Sequence, residues 1–315
     1  MPEPGAAIAV DGLTKRFAAT TAVDRLAFAV APGELFGLVG PDGAGKTTTM
    51  RMLAGVMSPD AGSAIVAGCD VVRDPEGVKH HISYMPQRFG LYEDLTVDEN
   101  IRFYADLFGV SRREREAQAT RLLAASGMER FRDRLAGQLS GGMKQKLGLT
   151  CALIHTPQVL LLDEPTTGVD PISRRDFWRI LYELVGEGVT VLASTAYLDE
   201  AERCHRLALL HEGRLLLCDA PARLKAGMPG TVVAVTAPAA SAVRDALRSM
   251  PGVSSLLIVG DGVRLVVDDA GARIPEIHAR LGASGLVATE VAVVPPTIED
   301  LFVASVSRPG AERGS

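Results

Sequence analysis

Near its start the chain carries Gly40-Pro41-Asp42-Gly43-Ala44-Gly45-Lys46-Thr47-Thr48, a run able to hold phosphate. Glycines let a backbone wrap phosphate oxygens, whose charge then faces the N–H groups at a helix start. Lys46 can reach the outer phosphates, and the Thr47 hydroxyl can ligate Mg²⁺. Further on, Leu160-Leu161-Leu162-Asp163-Glu164 ends an apolar strand on two carboxylates. Asp163 would lie at the sheet's carboxyl edge beside the loop, as a ligand for a hard cation. Glu164 is placed to orient or deprotonate an attacking water, or merely to cap a neighbouring element. Between them comes Leu139-Ser140-Gly141-Gly142, a second glycine-rich phosphate contact. Such a contact is useful only if two copies meet over one nucleotide, so the ordering points to an ATP-driven dimer.

The elements that must position these groups are visible in the pattern. Residues 6–38 alternate apolar and polar side chains as antiparallel strands do, and Leu35-Phe36-Gly37-Leu38-Val39 is a buried strand feeding the glycine loop. Thr47–Ala54 has helical character, closed by Gly55. Capping boxes at Thr96-Val97-Asp98-Glu99 and Ser111-Arg112-Arg113-Glu114 open helices stopped by Gly109 and Gly127, so residues 90–155 form a helical insert. Val159–Leu162 and Val189–Ser194 are buried strands, separated by a helix that starts after Asp170-Pro171 and ends near Gly186. Strands alternating with helices imply a mostly parallel sheet. Leu207–Leu210 and Arg214–Cys218, joined by Glu212-Gly213, make a hairpin.

Composition changes around Gly227-Met228-Pro229-Gly230, which sets a domain boundary: 6–228 for the larger domain and 230–306 for a small one, with a flexible tail at 307–315. In the second domain the expected order is strand (Thr231–Thr236), helix (Ser241–Met250), a hairpin around Gly260-Asp261-Gly262, helix (Ile274–Leu281) and strand (Leu286–Val294). That β-α-β-β-α-β order is ferredoxin-like. Its closing segment, Pro295-Pro296-Thr297-Ile298-Glu299-Asp300 and then Leu301-Phe302-Val303, reads as one that docks back on the larger domain.

Bulk properties narrow the partners. A formal net charge of −5, pI near 5.7 and an aromatic share of 5% argue against a nucleic-acid binder. No apolar run approaches the roughly 18–20 residues of a membrane span. Met1-Pro2-Glu3-Pro4-Gly5 lacks the basic and apolar regions of a signal peptide, which points to the cytoplasm. The 4 cysteines (Cys69, Cys151, Cys204, Cys218) have no metal spacing and read as idle thiols in a reducing compartment.

Taken in order, these motifs resemble those of ATP-binding-cassette (ABC) transporter ATPases over nearly all of residues 6–225. Gly40–Thr48 matches the Walker A loop, Gln87 in Tyr84-Met85-Pro86-Gln87 the Q-loop, and Leu139–Gln145 the family's specific signature. Val159–Glu164 matches Walker B and Gly168-Val169-Asp170 the D-loop. Met143-Lys144-Gln145, Tyr197-Leu198-Asp199-Glu200-Ala201-Glu202 and Pro295–Val303 carry a finer likeness to the drug-exporter, ABC-2 type. The resemblance implies an α/β fold: a mixed sheet with an antiparallel subdomain and a helical insert, beside the small α+β domain. It implies ATP and Mg²⁺, with Phe17 stacking on adenine (a core phenylalanine being the alternative) and Gly40, Asp42, Gly43, Ala44, Gly45, Lys46, Thr47 and Thr48 on the phosphates. Thr47, Gln87 and Asp163 would serve the metal, with Glu164, Gln87 and Lys46 in catalysis. Ser140, Gly141, Gly142 and Asp170 would act across a dimer on the other copy's nucleotide. Implied partners are integral-membrane permease subunits and a second ABC ATPase domain, identical or not, with the protein peripheral on the inner face of the cell membrane.

The chain departs from the pattern in places. Asp42 stands where asparagine is common, and Met143 where the signature often has glutamine. More consequential is Ser194-Thr195-Ala196-Tyr197, because the family holds a switch histidine at position 196. Alanine offers no donor, and one lost transition-state donor costs on the order of 10²–10³-fold in rate. His205 and His211 are too far along the chain to stand in. The implied function is the ATP-hydrolysing subunit of an exporter, possessing either slow turnover or a partner with a complete site. Alternatives are a degenerate nucleotide sensor and a non-transport ABC ATPase acting on ribosomes or DNA.

Overall fold

The computed structural model describes residues 5–307, so of the tail expected at 307–315 only Ser307 falls within it. The chain divides into two compact units between Cys218 and Asp219, ahead of the Gly227–Gly230 cluster.

In the first unit, strands β1 (Ile8–Phe17) and β2 (Thr20–Val30) pair antiparallel. Along β2, Leu26, Phe28 and Val30 alternate inward, the period of a half-buried strand. Strand β3 (Leu35–Val39) is buried at every residue and leads through the glycine loop into helix α1 (Lys46–Leu53). Strands β4 (Ala61–Val66) and β5 (Cys69–Asp70) return to the first sheet, whose order is β2-β1-β4-β5. Helix α2 (Pro75–His81) then leads to β6 (Ile82–Met85).

The helical insert follows. Helices α3 (Val97–Leu107) and α4 (Arg112–Ser126) begin at the two capping boxes, where Glu99 and Glu114 each reach back to the cap residue. Gly127 ends α4 with a left-handed φ of 67°, a conformation that costs glycine little. Helix α5 (Gly141–Leu153) completes the insert, and Val97, Ile101, Leu123, Leu147 and Cys151 form its core.

Strand β7 (Val159–Asp163), helix α6 (Pro171–Gly186), strand β8 (Thr190–Thr195), the short helix α7 (Leu198–Ala201), β9 (Arg206–His211) and β10 (Arg214–Asp219) complete a 6-stranded sheet of order β10-β9-β3-β8-β7-β6. Its pairs β9-β3, β3-β8, β8-β7 and β7-β6 are parallel. Both faces are covered, which is why these strands are continuous apolar runs. Leu161 and Leu192 pack toward β1, β2 and α1, while Leu160, Leu162 and Val191 pack toward Phe177, Trp178 and Leu181 of α6. Register does the functional work: Val39 pairs with Thr195, Asp163 with Ser194 and Met85 with Leu162. The glycine loop, both Walker B carboxylates, the 194–197 segment and the Gln87 segment therefore leave the sheet at one carboxyl edge, where ligands of such sheets bind.

The second unit contains α8 (Pro221–Ala226), β11 (Thr231–Thr236), α9 (Ala240–Leu247), β12 (Val253–Val259), β13 (Gly262–Val267), α10 (Ala270–Ala283), β14 (Glu290–Val293) and α11 (Ile298–Val306). Its antiparallel sheet runs β12-β13-β11-β14, the ferredoxin-like order. Helix α10 starts earlier than the expected Ile274, because the Asp269 carboxylate caps it by accepting the Gly271 N–H at 2.8 Å. The closing segment carries a helix that the sequence reading did not name. The helix is capped by Thr297 and Asp300, and it buries Ile298, Leu301 and Ala304 against β12, β13 and α8 of its own unit. Arg264 of β13 grips Asp300 at 2.7 and 2.9 Å and the Pro295 carbonyl at 2.8 Å. Burial works against the Asp300 charge, but Arg264 and Thr297 outweigh it and hold its pKa below the usual carboxylate value.

Candidate functional site

A cavity of about 430 Å³ opens at the carboxyl edge of the parallel sheet, lined by Phe17, Asp42, Gly43, Gly45, Lys46, Thr47, Thr48, Gln87 and Glu164. Phe17 at the end of β1 is 46% exposed, which removes the core-phenylalanine reading; the Lys15 ammonium stands 5.7 Å from its ring centroid. Gly45 has φ +96° and a Cβ there would meet the Ala22 carbonyl, so only glycine fits this step of the loop. Ala44 is buried beneath the loop, and Gly40 is wedged against the Leu210 carbonyl. Asp42 is exposed on the loop's rim.

Lys46 is 4% exposed, and its ammonium is fully engaged within the chain. It donates to the Gly40 and Pro41 carbonyls at 2.7 and 2.9 Å and pairs with Glu164 Oε1 at 3.0 Å. Glu164 Oε2 in turn accepts from Gln87 at 3.2 Å and from Thr167 at 3.4 Å. Glu164 has φ +49°, an uncommon left-handed conformation for a side-chain-bearing residue. The turn is held by its N–H donating to Ser194 Oγ at 2.9 Å, and it swings the carboxylate off the strand direction into the cavity. Strain of this kind is found where surrounding structure over-determines a functional residue.

Asp163 is 1% exposed and accepts from Thr47 at 3.1 Å, Ser194 at 2.8 Å and Tyr84 at 3.4 Å. Thr47 and Asp163 thus bring a hydroxyl and a carboxylate together beside the phosphate cradle, the hard oxygen donors that suit Mg²⁺. Burial and the nearby Asp163 charge push the Tyr84 pKa up to about 12, so its hydroxyl stays a donor.

The sequence reading named Ser194, Tyr84 and Glu200 only as parts of segments and overlooked Thr166. Glu200 is fully buried and accepts from Thr166 and Thr195, each at 2.7 Å, while Arg174 Nε stands 3.5 Å away. Arg174 also lies 4.4 Å from the Tyr197 ring centroid. A carboxylate in the short helix that follows β8, between Leu198 and Ala201, was the available signal, since burying it demands such partners. Thr195 Oγ1 accepts the Tyr197 N–H at 3.0 Å, which fixes the backbone on either side of Ala196. His205 lies at the opposite end of β3, where its Nδ1 accepts the Leu35 N–H at 3.3 Å, and His211 faces Glu212 at 3.9 Å. Neither lines the cavity.

Ser140, Gly141, Gly142 and Asp170 are brought together elsewhere. Ser140 caps α5 by accepting the Met143 N–H at 3.3 Å, and Asp170 caps α6 through the Ile172 and Ser173 N–H groups at 3.1 and 2.9 Å. Hydrogen bonds from Ser173 and Ile172 hold the Asp170 carboxyl below its usual pKa. A Cβ on Gly142 would overlap Ser173, so that glycine lets the two helix starts touch. Met143 packs its side chain into the insert's core, which accounts for an apolar residue there. None of these residues lines the cavity around Lys46.

Residues 23–167 match the ABC transporter family. An Escherichia coli protein named probable multidrug ABC transporter ATP-binding protein YbhF is 46% identical over 95% of the chain, which spans about half (52%) of that relative's length. The Nod factor export ATP-binding protein I of Paraburkholderia xenovorans is 41% identical over 88% of the chain and 90% of that relative. Among solved structures, an ATP binding subunit of an ABC transporter superposes with TM-score 0.64 at 31% identity, over 70% of this chain and 92% of that one. CbiO1 of Clostridium perfringens, at TM-score 0.65 and 23% identity over 78% of this chain and 96% of that one, speaks to the fold alone.

Proposed function

The chain belongs to the ABC transporter family, and we propose that it is the ATP-binding and ATP-hydrolysing subunit of an exporter, working as a dimer of ATPase domains on separate membrane permease subunits. The observation that carries this reading is the convergence of Lys46, Thr47, Asp163, Gln87 and Glu164 on one glycine-lined cavity.

The residues suit ATP with Mg²⁺. Phosphate charge entering the loop competes with Glu164 and the Gly40 and Pro41 carbonyls for the Lys46 ammonium, and the loop N–H groups face it. Thr47, Asp163 and Gln87 would hold Mg²⁺, which when bound neutralises charge building on the phosphate oxygens. Release of Glu164 from Lys46 frees its carboxylate to orient and deprotonate a water, with Gln87 and Thr167 steering it. Ser194 keeps Asp163 and the Glu164 backbone in register throughout.

Because the α5 and α6 starts carry exposed Ser140, Gly141 and Asp170 away from the chain's own cavity, they suit a nucleotide held by another copy. ATP then closes the dimer and hydrolysis loosens it. A permease contact is supported by an apolar groove of about 260 Å³ beside the Gln87 segment, lined by Val56, Tyr84, Phe89, Tyr104, Leu107 and Phe108. Val56 and Leu107 are 64% and 65% exposed there, apolar surface that a partner's side chains would cover. No helix of the described residues is long and apolar enough to cross a membrane, so the span belongs to other chains in this reading.

Ala196 and the Lys46–Glu164 pair favour a second reading, a nucleotide sensor that hardly turns over. Co-purifying the chain from membranes, identifying the bound permease and measuring ATP turnover with and without it separates the two. Turnover that stays at background with the permease present would leave the sensor.

A further inference from the structure

The second unit has a polar cavity of its own, about 490 Å³, which falls in the size range of small-molecule sites. It lies between the end of α9 and strand β12, and its lining includes Arg244, Arg248, Ser254, Ser255, Leu256 and Ser307. Arg244 and Arg248 stand one helical turn apart and project on the same side. Asp245 occupies one side of Arg244, through Nε at 2.8 Å and Nη2 at 2.7 Å, which leaves Nη1 to the cavity. Among the described residues Arg248 has no acidic partner, and none of those lining the cavity is acidic. Two cations at a helix C-terminus suit its dipole and would not by themselves mark a site.

Ser255 supplies the independent observation. It is only 8% exposed, it lines the cavity, and its hydroxyl makes no hydrogen bond to any described residue. The hydroxyl is not sealed from water: it stays open to the cavity, unclaimed by the protein, so a ligand there meets a donor held in place by a buried residue. Its neighbour Ser254 has found a partner in the Val266 carbonyl at 3.2 Å. The register of β12 against β13 shifts between Val253 and Ser255, and such an irregularity re-aims the side chains around it. β12 is moreover an edge strand of the sheet, so one side of its backbone is open to a ligand.

We propose that this cavity binds a small molecule through an oxyanion, phosphate or carboxylate, held between the Arg244 and Arg248 guanidinium groups with one oxygen accepting the Ser255 hydroxyl. Guanidinium forks match the geometry of both anions, and a charge-assisted bond from a hydroxyl on the cavity wall adds directionality. The site lies in a different unit from the nucleotide cavity and would give the small domain an effector to sense. The assignment does not depend on the ATPase reading.

The test is calorimetry on the full-length chain saturated with Mg²⁺ and ADP, titrated with inorganic phosphate in one arm and citrate in the other. Saturable binding of at least one anion is expected, and which arm binds tells a phosphate ligand from a carboxylate one. Arg248→Glu should weaken it by about tenfold or more, the ratio a lost charge-assisted hydrogen bond carries. Ser255→Ala should weaken it several-fold with the melting temperature retained, whereas Arg223→Glu, the same charge change on α8, should leave it intact. Failure of both anions to bind, equal loss in Arg223→Glu, or binding lost with Lys46→Ala but not with Arg248→Glu would overturn the proposal.

Discussion

Replacing Ala196 with histidine should speed ATP hydrolysis. The residue follows Thr195, whose carbonyl accepts the Gly40 N–H at 3.3 Å, so a side chain at 196 leaves from the rim of the phosphate loop. Its backbone is already fixed, by Tyr197 N–H on Thr195 Oγ1 at 3.0 Å and by Thr195 on Glu200 at 2.7 Å. A preorganised transition-state donor is worth about 10²–10³-fold, or about 2.7–4 kcal/mol. Ordering an imidazole that has no packing built around it costs about 1 kcal/mol. The net expectation for Ala196→His is thus a gain of about 10–100-fold in kcat, with the KM for ATP little changed. Phosphate release by purified wild type, Ala196→His and Glu164→Gln at saturating Mg²⁺-ATP measures it, the last variant setting the background. No gain from Ala196→His alongside loss of activity in Glu164→Gln would refute the reasoning, because the site would then run without need of that donor.

Three other perturbations follow from the geometry. Glu200→Ala leaves Thr166 and Thr195 without their shared acceptor and Arg174 without its nearer ion-pair partner at a fully buried position, and should cost about 3 kcal/mol in chemical denaturation and abolish any gain from Ala196→His. His155 stacks on Phe108 at 3.8 Å, and burial holds its pKa below the ordinary 6.5, so the native ring stays neutral where the unfolded one takes up a proton. Stability is therefore full above pH 6.5 and erodes as pH falls toward the native pKa, by up to about 1.4 kcal/mol per unit; denaturation midpoints against pH should be flatter for His155→Gln. Leu107→Glu, on an exposed wall of the apolar groove, should leave ATP binding by the isolated chain unchanged and remove stimulation by the permease, measured as turnover in reconstituted membranes.

Local signals carried far in this chain. Both capping boxes, the Gly127 stop and the Asp170-Pro171 start are decided by residues within one turn of each other, so sequence spacing exposes them. Helix α11 was missed because two prolines and a run of apolar residues masked the Thr297-x-x-Asp300 cap, whose aspartate also answers to Arg264, distant in sequence. Pro275 hid the start of α10 in the same way, since proline reads as a beginning and here stands inside.

By itself the sequence determined which groups could bind phosphate, ligate a hard cation and activate water, because those functions demand particular side chains at short spacing. It also determined that position 196 holds no donor. Only the tertiary structure decided what those groups touch. Parallel register sets Asp163 beside Ser194 and Thr47, a left-handed turn aims Glu164 at Lys46, and a buried Glu200 ties Thr166 to Thr195. Each of these contacts joins segments far apart in the chain, and their pairing follows from how the strands align and the core packs rather than from any local pattern.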